Sequence, residues 1–415
     1  LSKKILLQIG LVFNIGLLAY FKYMDFFISN INGLVDTDIE LLHLALPLAI
    51  SFFTLQQIAF LMDCYEGLAK EKNFLNYAVF VSFFPQLIAG PIVHHKEMIP
   101  QFESIKNKVK NYKNIALGLF IFSIGLFKKV VIADTFAISA TQGFDLATSL
   151  SFFEAWGTAL SYTFQLYFDF SGYTDMAIGA ALLFNIRLPQ NFNSPYKATG
   201  IIDFWQRWHM TLTGFINTYL YSPMLLSFKK ITFKKSMIIT FITFVIVGLW
   251  HGASWMFVIF GSLHGMALIV NHSWRKTKVK MNKALAWFIT FNFFNLTLVI
   301  FRAKNWDDAT KIFSSMFDIS SLYISSNFST VVKDFFYIDI DFLINKNYIF
   351  NFDFSILLSF LVAFIIISFK NTTQLRDQFV LNAKNLLLTC IYLLVSFYYI
   401  LYMQNRVSAF LYFDF

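Results

Sequence analysis

Long apolar runs recur along the chain, near residues 5–21, 41–62, 74–93, 115–133, 151–168, 236–272, 284–301, 353–369 and 386–404, separated by short polar or charged segments. A helix that crosses a bilayer needs ~20 mostly apolar residues, so runs of this length predict membrane helices. The run from 236 to 272 is too long for a single crossing and predicts a helical hairpin, or a span with a re-entrant piece. Several other runs are interrupted by Gly, Pro or Asn, which predicts tilted, broken or partly submerged helices around an interior cavity. No internal repeat or low-complexity linker divides the sequence. The expected architecture is an all-α polytopic membrane protein with short interfacial and re-entrant helices, a single domain over 1–415.

Composition names the solvent. Of 415 residues, 57% are hydrophobic, 20% aromatic and 14% charged, with a mean hydropathy of +0.59. A water-soluble surface cannot be covered with so few polar groups, whereas a lipid-facing perimeter needs none. The net charge of +9 falls in short lysine clusters between apolar runs, which fits membrane orientation and not a nucleic-acid face. Residues 272–283 carry five cations and no acid, and 370–384 carry three cations against one acid, so both loops are expected in the cytoplasm. Residues 303–353 hold seven Asp, four Lys and no Arg; this region is expected outside, with a short strand at "FFYIDIDF" (335–342). The last helix then delivers the tail, 405–415, to the outer side. Cys64 and Cys390 lie far apart in apolar runs and read as buried hydrophobes. The chain opens on Leu, runs from two lysines into an apolar stretch without a cleavage site, and is expected to be preceded by a further N-terminal segment.

Four stretches carry candidate chemistry. "VGLWHGASWMF" (247–257) sets His251 between Trp250 and Trp255 near the apex of the expected hairpin. An intramembrane imidazole is costly unless it faces protein or water, so it reads either as a functional group or as a packing histidine at a bend. "DFWQRWHMTLTGFINTYLYSP" (203–223) predicts an amphipathic interfacial helix with Trp205, Trp208 and Leu212 on one side, Arg207 suited to an anionic group and His209 to proton transfer. In "FQLYFDFSGYTDMAIGAALLFNI" (164–186), Asp169 and Asp175 call for cationic partners, expected among Arg207, Arg187 and Lys197. "FFPQLIAGPIVHHKEMIPQF" (83–102) is a helix broken at Gly90 and Pro91, and the spacing of His94, His95 and Glu97 does not suit a metal. Nucleotide-binding loops, the dinucleotide glycine fingerprint, the serine elbow and the H-E-x-x-H motif are all absent from the sequence. A channel or secondary transporter also fits broken helices around a midplane histidine.

In their order and spacing, "QLIAGPIVHHKEMIPQF", "YFDFSGYTDMAIG", "LPQNFNSPYKATGIIDFWQRWHMTLTGF", "GLWHGASWMFVIFGSLHG" and the terminal "FLYFDF" resemble the membrane-bound O-acyltransferase family, in particular its bacterial branch that acetylates cell-envelope polysaccharides. The resemblance implies a helical fold with a central tunnel or funnel, a catalytic histidine at His251, a second histidine at His209 and a terminal F-x-Y-x-x-F motif at Phe410, Tyr412 and Phe415, with Asp414 where members often have Gln. It further implies acetyl-CoA as donor and no metal. The acyl group would be relayed through Tyr412, with His251 as base, to an extracytoplasmic SGNH-type O-acetyltransferase at the inner (cytoplasmic) membrane. Trp250, Trp205, Arg207, Asp169 and Asp175 are the candidate substrate-contacting residues. Peptidoglycan is the leading acceptor on this reading. Alginate or another exopolysaccharide, and D-alanylation of teichoic acid, are the alternatives. Membrane lipid is the expected surround, and nucleic acid is not expected as a partner.

Overall fold

The computed structural model describes residues 2–69, 73–88, 90–322, 354–402, 408, 410 and 411. Among them the secondary structure is helical, and six helices are long and apolar enough to cross a membrane. We number the principal helices α1 (Lys3–Val35), α2 (Ile50–Tyr65), α3 (Tyr112–Leu146), α4 (Phe152–Leu183), α5 (Phe233–His251), α6 (Trp255–Thr277), α7 (Lys283–Arg302), α8 (Phe354–Ser368) and α9 (Ala383–Tyr402). Large apolar side chains remain exposed along α1, α6 and α9, as lipid-facing surfaces require. Cys390 lies on one of them, so it is exposed and not buried as expected, and Cys64 is half-buried.

The axis of the body is α4, a 32-residue helix with most of its length buried. It starts at a reciprocal cap in which Ser151 and Glu154 satisfy each other's backbone amides. It stops before Asn185, whose left-handed backbone ends the helix and whose side chain donates to the carbonyls of Asn107 and Val109 at 3.0 and 2.8 Å. Helix α3 crosses α4 at glycines. A Cβ on Gly125 would stand 2.6 Å from the carbonyl oxygen of Gly172, and one on Gly179 would stand 2.6 Å from that of Gly118. Backbones in this contact leave no room for a side chain, so Gly179→Val is expected to cost about 1–3 kcal/mol by overpacking. The measurement is the unfolding temperature of the detergent-solubilised protein; an unchanged value would contradict this account of the crossing.

The long apolar run from 236 to 272 forms the expected hairpin, α5 and α6, joined through residues 252–254. Elsewhere the boundaries move. The first apolar run continues to Val35 through a widened turn at Ala19–Tyr23, and the run beginning at 151 continues to Leu183. The 83–102 stretch is broken at Gly90 and Pro91 as expected, between Phe84–Leu87 and His95–Glu103, and a further break lies at Phe83, between Phe74–Ser82 and Phe84–Leu87, because Pro85 belongs in a first helical turn. The expected interfacial helix at 203–223 is a broken element instead. Ile201–Trp205 and Met210–Ile216 flank His209, whose φ of 45° interrupts the helix, and Trp205, Trp208 and Leu212 are all buried. Of the 303–353 region, Trp306–Phe317 is a helix packed on α4; the strand expected at 335–342 lies outside the described residues.

Candidate functional site

His251 is the last residue of α5 and is buried. Just before it the hairpin closes backbone to backbone: a Cβ on Gly248 would meet the Phe257 carbonyl oxygen at 2.2 Å, and one on Gly261 would meet that of Phe244 at 2.2 Å. A helix end leaves carbonyls without intrahelical partners, and buried carbonyls must find donors. Here α1 supplies them. Tyr23 Oη donates to the Leu249 carbonyl at 2.8 Å, and Lys22 Nζ donates to those of Trp250 and His251 at 2.7 and 3.1 Å and to Ser51 Oγ at 3.2 Å. The cation also complements the negative end of the α5 dipole. Both donors sit in the widened turn of α1, which brings two consecutive side chains to one helix terminus. Neither was singled out from the sequence.

Around the ring the packing is aromatic. The centroid of His251 lies 5.0 Å from Trp250, 5.3 Å from Phe301 and 6.4 Å from Phe260. A cleft of about 290 Å³, lined by Lys22, Asp25, Gly252, Ala253 and Ser254, reaches the residue that follows the histidine. A more apolar groove of about 260 Å³, lined by Trp205, Leu212, Phe244, Val247 and His272, reaches Val247, one helical turn before it.

His209 is the second buried imidazole and caps Met210–Ile216 in a left-handed conformation. A non-glycine residue held there stores strain, a state that persists when its surroundings overdetermine it. Asn191 does so: its Oδ1 accepts from the Thr211 amide and hydroxyl at 3.3 and 2.9 Å and faces His209 Nδ1 at 3.1 Å. An acceptor oxygen at Nδ1 places the proton there and makes Nε2 the accepting nitrogen. The rings of Phe52 and Phe170 lie 6.4 and 4.7 Å from the imidazole. Phe52 also stands 5.7 Å from Trp250, so it bridges His209 and the Trp250–His251 pair.

A third histidine, His264 on α6, is fully buried and was not singled out as a site residue. Trp205 Nε1 donates to its Nδ1 at 3.2 Å, which leaves Nε2 protonated to donate to Thr297 Oγ1 at 3.1 Å; Thr297 in turn donates to the Phe294 carbonyl at 2.9 Å. Every proton in this chain has one direction, and the chain ties Trp205 to α6 and α7. Its ring lies 4.4 Å from Phe260, the residue that also packs on His251. The one available signal was a second ionisable side chain inside an apolar run.

The carboxylates behave differently from expectation. Asp169 pairs with Lys129 at 2.8 Å, and Asp175 with Lys128 at 2.6 Å and the Thr372 hydroxyl at 2.7 Å, in place of Arg207, Arg187 or Lys197. Lys128 and Lys129 sit in a widened turn of α3, Lys128–Ala133, facing α4, where Lys129 is buried, Lys128 is partly buried, and both ammonium groups meet acids. Arg207 is held by its own neighbours, Asp203 Oδ1 at 2.7 Å and the Asn193 carbonyl at 3.2 Å, and is about one-third exposed. The fold thus gathers His251, His209, Trp250 and, through His264, Trp205; Arg207 and Asp175 stand in separate clusters.

Asp169 joins this group from another direction. Its Oδ2 accepts the Leu411 amide at 3.1 Å, so the C-terminal tail is folded back into the helical body. Phe410 is buried, stacked on Tyr173 at 4.4 Å and 6.4 Å from Phe170, the ring that touches His209. Tyr412 lies outside the described residues, two positions further along the chain.

The sequence matches the family model of the membrane-bound O-acyltransferases over residues 70–294. It is similar to the peptidoglycan O-acetyltransferase of Helicobacter pylori, 48% identical with 100% of this chain and 83% of that protein covered. It is similar to a probable alginate O-acetylase of Azotobacter vinelandii, 36% identical over 77% of this chain and 64% of that protein. The teichoic acid D-alanyltransferase of Streptococcus thermophilus is 28% identical over 61% of this chain and 68% of its own length.

Proposed function

Since the chain belongs to the membrane-bound O-acyltransferase family and is a multi-pass O-acyltransferase, we propose that it carries acetyl groups from cytoplasmic acetyl-CoA across the inner membrane for O-acetylation of peptidoglycan. The acceptor is chosen because the peptidoglycan relative matches along the whole chain at 48% identity, against 36% over 77% for the alginate one.

The reaction is a two-step acyl relay. A tyrosine hydroxyl, with an ordinary pKa of about 10, is a poor nucleophile at neutral pH unless a base takes its proton. His251 takes the proton of Tyr412 Oη as that oxygen attacks the thioester carbonyl. The tetrahedral oxyanion, stabilised by backbone amides near Gly248 and Gly252, collapses, the C–S bond breaks, and the thiolate recovers the proton from the imidazolium. The acetyl-tyrosine is delivered outward, where the serine of an SGNH-type transferase accepts the acetyl group and Tyr412 regains its proton. A C-terminus on the outer side follows from this reading.

The observation that supports the relay best is the returning tail, with Phe410 one aromatic ring away from His209. The test is mass spectrometry of the C-terminal peptide after incubation of the purified protein with isotope-labelled acetyl-CoA. A labelled acetyl group on Tyr412 is the expected result; CoA release with no label on the tail would replace the relay by direct transfer, and neither product would favour a transporter.

A further inference from the structure

We propose that Lys129, Asp134 and Asp169 form a docking seat for the C-terminal tail, and that Lys129 is the positioning residue that sets the carrier end of the chain against the histidines. The inference rests on the relay reading for its purpose, and on the geometry of the tail for its existence.

Lys129 Nζ lies 2.7 Å from Asp134 Oδ1 and 2.8 Å from Asp169 Oδ1, and it donates to the carbonyl and hydroxyl oxygens of Ser408 at 3.0 and 2.9 Å. Ser408 Oγ donates onward to Asp134 Oδ1 at 2.6 Å, and the Leu411 amide donates to Asp169 Oδ2 at 3.1 Å. All three charged side chains are at least nine-tenths buried. Two carboxylates against one ammonium leave a net negative charge in a low-dielectric interior, which is costly unless further donors reach it. The tail brings two such donors, Ser408 Oγ–H and Leu411 N–H, and two acceptors for the lysine. Seat and tail therefore complete each other, and Phe410 between the two contacts is pressed onto Tyr173 and Phe170.

Among the described residues of the tail, the bonds to the seat are noncovalent and are made by Ser408 and Leu411. The seat can hold the tail inside during acyl transfer and release it for hand-over without any change in the helices. A cation at 129 serves both purposes, because it binds the tail and keeps the two acids from repelling each other when the tail is away.

The experiment uses the full chain in lipid nanodiscs and follows protection of the C-terminal peptide from a nonspecific protease, alongside acetyl-tyrosine formation. The wild-type tail is expected to be protected. Lys129→Met should increase its cleavage rate at least tenfold and lower acetyl-tyrosine formation comparably, and Lys129→Arg should restore protection in part. Because a buried acid pair without its cation can unfold the protein, Leu411→Pro provides a second arm: it deletes the amide that Asp169 accepts and leaves the body untouched, and it too should release the tail. Protection that stays at the wild-type level in folded Lys129→Met, or in Leu411→Pro, overturns the seat. If the variants release the tail while no protein, wild type included, carries label on Tyr412, the seat stands and the relay reading falls.

Discussion

Replacing His251 by alanine is expected to lower the rate of acetyl transfer by about 10²–10⁴-fold, the range that a positioned general base contributes. The prediction concerns rate and not assembly, because the end of α5 is secured through backbone carbonyls that Lys22 and Tyr23 bind, contacts that the substitution leaves in place. The ring itself fills space between Trp250, Phe260 and Phe301, so the variant also opens a void and loses some stability. Two measurements separate these effects: the single-turnover rate of CoA release at saturating donor, and the unfolding temperature in the same detergent. A rate within threefold of wild type would remove the imidazole from the chemistry. A parallel His209→Ala variant should show a smaller loss, since the Nδ1–H of that ring is committed to Asn191 and its left-handed backbone is set by the same residue.

Tyr412→Phe should abolish label on the C-terminal peptide and stop acetylation of the polysaccharide altogether, with a residual rate no higher than the uncatalysed background. The substitution removes one oxygen and leaves the aromatic body, so the tail contacts at Ser408, Phe410 and Leu411 are retained. Thioester cleavage by adventitious water can persist. The decisive comparison is therefore acetylated glycan per CoA released: near the wild-type ratio, the carrier assignment is wrong; near zero, the hydroxyl is the obligatory stop between donor and acceptor.

The parts of the fold that were legible in advance are those in which one local signal dominates. The α5–α6 hairpin follows from an apolar run too long for one crossing with lysines on both sides, and the position of His251 at its apex follows from rise per residue. The partners of Asp169 and Asp175 were not legible. Lys128 and Lys129 lie late in an apolar run, where lysines ordinarily reach out to water, and only the crossing of α3 on α4 turns them inward. The 203–223 segment misled for a related reason. Its aromatics have the spacing of an amphipathic face, but the break at His209 interrupts the helix, Trp205 and Trp208 are both buried in the core, and Asn191, which holds that break, lies outside the segment, 18 positions before His209. His264 and Lys22 each appear as single ionisable residues in apolar helices, a signal that marks importance without a role.

The bond from Lys22 to the Trp250 carbonyl joins residues 228 positions apart. During synthesis at ~5–20 residues per second, the lysine would be in the bilayer roughly 10–45 s before its acceptor is made. For that interval the ammonium group needs another host: water at the interface, a lipid phosphate or an insertion factor. Maturation of the enzyme thus contains a waiting step, and the hairpin that bears His251 is also the piece that ends it.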